Sequence, residues 1–126
     1  MSDFWQKALQ ASRSAKILLD AGDPNGATNR AYYAMFHAAI STLMLDDPAR
    51  GVPKKHSTVI GRFSKQIVTE RGLDPKFGRA LNLAFELRMD ADYRIDGVDL
   101  DDARALVASS GEFLNAASGF RLDQDE

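Results

Sequence analysis

The sequence predicts an all-α protein, an antiparallel bundle of four to five helices, and three observations carry that expectation. Apolar residues recur at three- and four-residue steps in five separate segments, and Gly, Pro and Asp punctuate the joins between them. No run alternates apolar and polar residues with the two-residue period of a strand. The chain has 126 residues, 44% hydrophobic and 27% charged, values that suit a single folded domain spanning 1–126 and exclude wholesale disorder.

The first helix opens after Ser2, a good capping residue, and carries Trp5, Ala8, Leu9, Ala15, Leu18 and Leu19 on one face until the turn at Gly22 to Gly26. A second helix is expected from about Ala27 to Met44. Pro48, Gly51 and Pro53 then forbid helix continuity over a loop from Asp46 to Lys55. Ser57 is expected to cap a third helix with Ile60, Phe63, Ile67 and Val68 inward and Gly72 as its stop. Asp74 and Pro75 read as cap and first residue of a fourth helix, whose face is Phe77, Ala80, Leu81, Ala84, Leu87 and Ala91, and which must end near Gly97. Asp99 is expected to cap a fifth helix. Asp101 and Asp102 lie in its first turn, where the helix dipole favours anions, and Leu106, Val107, Phe113, Leu114, Ala117 and Phe120 lie inward. The acidic tail 123–126 is expected to fray.

Composition narrows the chemistry. There is no cysteine, which removes disulfides, thiolate zinc sites and cysteine nucleophiles and suits a reducing cytoplasm. Only His37 and His56 are present, so a multi-histidine metal site is excluded, and neither a metal nor a cofactor is expected. No apolar run is long enough to span a membrane and the first residues do not read as a leader, so the protein is expected in the cytoplasm and off the membrane. The formal net charge of −2 hides a sorted distribution: −1 over 1–49, +6 over 50–79, zero over 80–89 and −7 over 90–126. Arg50, Lys54, Lys55 and His56 read as a basic loop which, with Arg62 and Lys65 on the next helix, either is simply solvated or offers phosphates an electrostatic landing strip.

The second helix is the most informative segment. From Ala31 to Leu45 it contains no Asp, Glu, Lys or Arg, so protein must cover nearly all of it: the centre of the bundle, a self-association surface, or both. Ala27, Ala31, Ala34 and Ala38 form a small-residue strip for close helix packing. At about 100° per residue, Arg30, Tyr33, His37 and Ser41 project along nearly one line. Arg30 and His37, two turns apart, can converge on a spot about one nucleotide wide. A permanently charged guanidinium beside an imidazole that titrates near neutrality can cleave RNA without a metal: the His moves protons while the Arg holds the phosphate oxygens. The alternative is a core histidine satisfied by its neighbours. Arg50 and His56 show a similar spacing, but Gly51 and Pro53 between them break the helix that would align the pair.

Three separated stretches, NRAYYAMFHAA at 29–39, KKHSTVIGRF at 54–63 and RMDADY at 88–93, resemble the HEPN family of small helical domains found beside minimal nucleotidyltransferases. The resemblance implies a four- or five-helix bundle that forms a homodimer, and a metal-independent endoribonuclease acting on single-stranded RNA in a toxin-like role, restrained by a nucleotidyltransferase partner. Arg30 and His37 would be its catalytic pair, completed by the same residues of a second copy. Asn29, Tyr33, Arg88, Asp92 and Tyr93 would form a supporting polar network reaching His37; the alternative for Arg88 and Asp92, four apart on one helix face, is an exposed intrahelical ion pair. The alternative implied by the same resemblance is a noncatalytic module that binds nucleotide or serves the nucleotidyltransferase as a partner.

Overall fold

The computed structural model describes residues 3–125, with side chains to 121; the helix continues through 123–125, where fraying was expected, while the Ser2 cap and Glu126 lie outside the described residues. Its helices are α1 (Asp3–Asp20), α2 (Pro24–Asp46), α3 (His56–Arg62, continued as a π-helix over Phe63–Glu70), α4 (Pro75–Tyr93) and α5 (Leu100–Asp125), with a short 3₁₀ turn at Pro48–Arg50. There is no strand among the described residues, so the architecture is the all-α bundle that the periodicity predicts.

α2 is the axle of this bundle. It meets every other element, and of its residues from 27 to 43 all are buried except Asn29, Arg30, Tyr33 and His37. The charge-free stretch is thus covered by the chain's own helices. Its alanine strip (Ala27, Ala31, Ala34, Ala38) and Ala8, Ala11 and Ala15 of α1 are all within 3% of complete burial. Small side chains on both helices let the backbones approach closely, and the short turn at 21–23 forces the two helices antiparallel. The larger core side chains, Tyr32, Met35, Leu43, Phe63, Ile67, Leu81 and Phe113, fill the space among α2, α3, α4 and α5.

Several boundaries differ from the sequence reading, each for a local reason. α2 starts at Pro24 rather than near Ala27, because Gly22 in left-handed backbone (φ 79°) ends α1 and the Asp23 carboxylate accepts the Gly26 N–H. Pro24 at the first helical position loses no hydrogen bond. α3 begins at His56, with Lys55 at the N-cap and no side-chain cap bond, so Ser57 is inside the helix. Its second half widens to i→i+5 bonding, accompanied by the Thr69 hydroxyl donating to the Ser64 carbonyl at 3.1 Å. Asp74 and Asp99 do cap α4 and α5, accepting from Lys76 N at 3.0 Å and Asp102 N at 2.8 Å. α4 stops at Tyr93, before Gly97. Gly97 has φ 65°, and a Cβ there would collide with the Asn25 side chain, whose Oδ1 accepts the Val98 N–H at 2.8 Å. That bond ties the α4–α5 connection to the start of α2.

Candidate active site

The four accessible residues between 27 and 43 of α2 are those on which the chemistry was expected to lie. Asn29 and Arg30 sit in its second turn, Tyr33 one turn on and His37 one turn further, so all face one side of the bundle. Ser41, the last residue of the predicted stripe, is buried and accepts from Arg121 Nη1 at 3.3 Å.

Arg30 is held in place by its neighbours. Its Nε and Nη2 both donate to Asn29 Oδ1, at 3.0 and 2.8 Å, and its guanidinium lies over the Tyr33 ring at 5.1 Å. Asn29 is in turn fixed from α4: its Nδ2 lies 3.3 Å from both Asp92 carboxylate oxygens. Arg88 pairs with Asp92 one turn along α4 (Nε to Oδ2, 2.9 Å), though that N–H is not aligned for a hydrogen bond. The Arg88 guanidinium also faces the Tyr33 ring at 5.6 Å and the Tyr32 ring at 6.0 Å. The chain Arg88–Asp92–Asn29–Arg30 therefore sets the direction of the Arg30 side chain.

Two parts of the expected network differ. Tyr93 is 71% exposed and takes no part in it; the contributing tyrosine besides Tyr33 is Tyr32. His37 is not hydrogen-bonded to the network, because Tyr33 stands between them with its ring centroid 5.8 Å from the imidazole. His37 Nδ1 is buried and has no hydrogen-bond partner among the described residues. Phe4, Tyr33 and Phe36 surround its ring at 5.7 to 5.8 Å. Burial lowers its pKa from 6.5 to about 4, helped by the positive charges of Lys7 and Arg30 and, when it is protonated, by His56. His37 is consequently neutral at pH 7 and able to accept a proton.

Arg30 and His37 open into one cleft of about 280 Å³, whose other wall is α1: Lys7, Gln10, Ala11 and Ser14. Sequence reasoning missed this wall. Lys7, Gln10 and Ser14 do follow helical spacing, and counting outward from the turn at 21–23 sets 14 opposite 30 and 7 opposite 37, so the signal was present in the antiparallel register.

The basic strip is divided among four settings. Lys54 and Lys55 are exposed in the loop. His56 turns inward: its ring stacks on Phe36 with centroids 4.4 Å apart, and Nδ1 lies 2.5 Å from the Tyr32 hydroxyl. Burial raises the Tyr32 pKa and lowers that of His56, with Arg88 adding to the latter, so both groups are neutral and the hydroxyl donates to Nδ1. Arg62 is half-buried and donates through Nε to the Gln66 amide oxygen at 3.3 Å, an oxygen that Arg50 also reaches. Lys65 lines a separate cleft with Asp46, Asp47 and Glu70. The 51–55 segment between Arg50 and His56 is not helical, as Gly51 and Pro53 require.

A family model described as the HEPN domain matches residues 1–120. The chain belongs to the HEPN domain family. Among its relatives, a candidate toxin of Methanocaldococcus jannaschii is 32% identical over 102 residues, covering 81% of this chain and 74% of that protein. A UPF0332 protein of Thermotoga maritima is 33% identical over 93 residues, covering 72% and 67%. A second candidate toxin of M. jannaschii is 28% identical over 121 residues, covering 95% and 78%. No helix among the described residues is long and apolar enough to cross a membrane.

Proposed function

We propose that this HEPN domain is a metal-independent endoribonuclease of toxin-like role that cuts single-stranded RNA with Arg30 and His37. The observation that carries the reading is that a pre-oriented guanidinium and a neutral imidazole open into the same cleft. Neutral His37 takes the proton of a ribose 2′-hydroxyl as that oxygen attacks the adjacent phosphorus. The P–O5′ bond breaks, and the imidazolium so formed passes that proton to the leaving oxygen, leaving a 2′,3′-cyclic phosphate, a 5′-hydroxyl and His37 neutral again. Arg30 binds the phosphate oxygens as negative charge builds on them. The relatives named as candidate toxins support the biological role, and a minimal nucleotidyltransferase is the partner that would hold the activity in check.

A second copy can bring the same two residues to this cleft, so that one phosphodiester meets two guanidiniums and two imidazoles. Tyr93 and Ile95, 71% and 104% exposed just beyond Asp92, supply apolar surface beside the site that such a copy can cover. Mixing two inactive variants tests activity and dimer together. Wild-type protein cuts RNA, Arg30→Ala and His37→Ala each do not, and a refolded mixture of the two recovers part of the wild-type rate, because the composite site of the mixed dimer keeps one Arg30 and one His37. Failure of the mixture to recover places the pair within one copy. Intact RNA with every form, the wild type included, removes the ribonuclease reading and leaves a noncatalytic partner module.

A further inference from the structure

We propose that Lys7, Gln10 and Ser14 of α1 form a phosphate subsite facing Arg30 and His37, which clamps one phosphodiester of a single-stranded RNA between the two helices. The proposal rests on the ribonuclease reading for the identity of its ligand, and on independent geometry for its position.

The cleft has the wall chemistry of an anion site. Its lining consists of Lys7, Gln10, Ser14, Arg30 and His37 around the small floor of Ala11: two permanent cations, an amide, a hydroxyl, an imidazole and no carboxylate. This occurs in a chain of net charge −2, where acidic partners are plentiful. Lys7 pairs with no carboxylate among the described residues; its ammonium rests over the Phe4 ring at 5.6 Å, and that ring lies 5.8 Å from the His37 ring. Arg30 is held by Asn29 through Nε and Nη2, so its Nη1 side remains for a ligand. The antiparallel register sets Lys7 level with His37 and Ser14 level with Arg30, so donors face each other across the cleft rather than scattering along α1.

Lys7 and Arg30 put two like charges on opposite walls of this gap, and after burial they are what disfavours a positive charge on His37. An anion placed between the walls offsets that repulsion. A volume of about 280 Å³ is small beside the ~300–1,000 Å³ of pockets that enclose a drug-sized ligand, which suits one phosphate with part of its sugar and leaves the bases outside. The subsite would therefore grip RNA without reading its sequence.

Binding of a 2′-deoxy oligonucleotide, which lacks the hydroxyl needed for cleavage, separates this subsite from catalysis. Lys7 is exposed on α1, so Lys7→Gln keeps the fold, as circular dichroism can verify. Followed by fluorescence anisotropy at low salt, Lys7→Gln should weaken binding roughly five- to tenfold and reduce the slope of log K against log salt by about 0.7, the single-strand value for one lost phosphate contact, while Lys7→Arg keeps both. The His37 ring resonances should shift on addition of the oligonucleotide to wild-type protein and shift less in Lys7→Gln. Unchanged affinity and slope in Lys7→Gln, or His37 resonances unmoved at saturation, overturns the subsite even if His37→Ala abolishes RNA cleavage. Loss of binding in Lys7→Gln from a protein that cuts no RNA overturns the ribonuclease reading and leaves the subsite standing.

Discussion

Arg30 and His37 share a helix and a cleft but are prepared in opposite ways. Arg30 is positioned by hydrogen bonds, through Asn29 to Asp92 of α4, whereas His37 is tuned by burial and by the cations around it. Removing the positioning should therefore lower turnover without removing the charge. Asn29→Ala and Asp92→Ala are each expected to reduce kcat by about tenfold to a hundredfold with KM moving much less, a loss of the size that misplacing a catalytic group produces. Equal falls in kcat and in fold stability would make the pair structural instead. For His37 the sign of the pH effect follows from a folded pKa near 4 against 6.5 for the free side chain. Between those values the unfolded chain binds the extra proton, so stability is fully present above about pH 6.5 and declines as pH falls toward 4. His56, lowered in the same direction, acts with the same sign. Urea midpoints across this range should fall with acid in the wild type and fall less in His37→Ala.

At the scale of elements, the fold was legible where the pattern was local and the site where it lay on one helix. The charge-free run after Ala31, the Asp74–Pro75 and Asp99 starts and the glycine stop at Gly72 are signals carried by adjacent residues, and the structure contains all of them. The stripe Arg30–Tyr33–His37 was equally readable. The destination of each polar group was not, because it depends on a second element. Tyr93 and Tyr32 look alike in sequence, yet the end of α4 turns Tyr93 to solvent while α2 carries Tyr32 into contact with His56 and Arg88. The widening of α3 into a π-helix follows no signal in its composition. α2 itself makes a packing prediction. Ala38 is fully buried on the strip that faces neighbouring backbone, so Ala38→Leu should cost about 1–3 kcal/mol of stability, read as a lowered urea midpoint at unchanged m.

At the scale of the whole molecule, the bundle converts a buried axle into a single accessible stripe. α1, α4 and α5 cover α2 so fully that between residues 27 and 43 the groups left at its surface are the four polar and aromatic residues of the site. The sorted charge of the sequence acquires a different meaning in the fold: the basic segment 50–79 does not gather at the cleft, and the cations that line it with His37, Lys7 across the gap and Arg30 on the same helix, come from the first two helices. Cleavage by these groups without a metal is the central prediction. Purified protein incubated with single-stranded RNA in excess EDTA should yield fragments ending in 2′,3′-cyclic phosphate, with His37→Ala slowing their formation by about 10²–10⁴. Fragments that form at the wild-type rate in His37→Ala, or that form only when a divalent metal is restored, would contradict it.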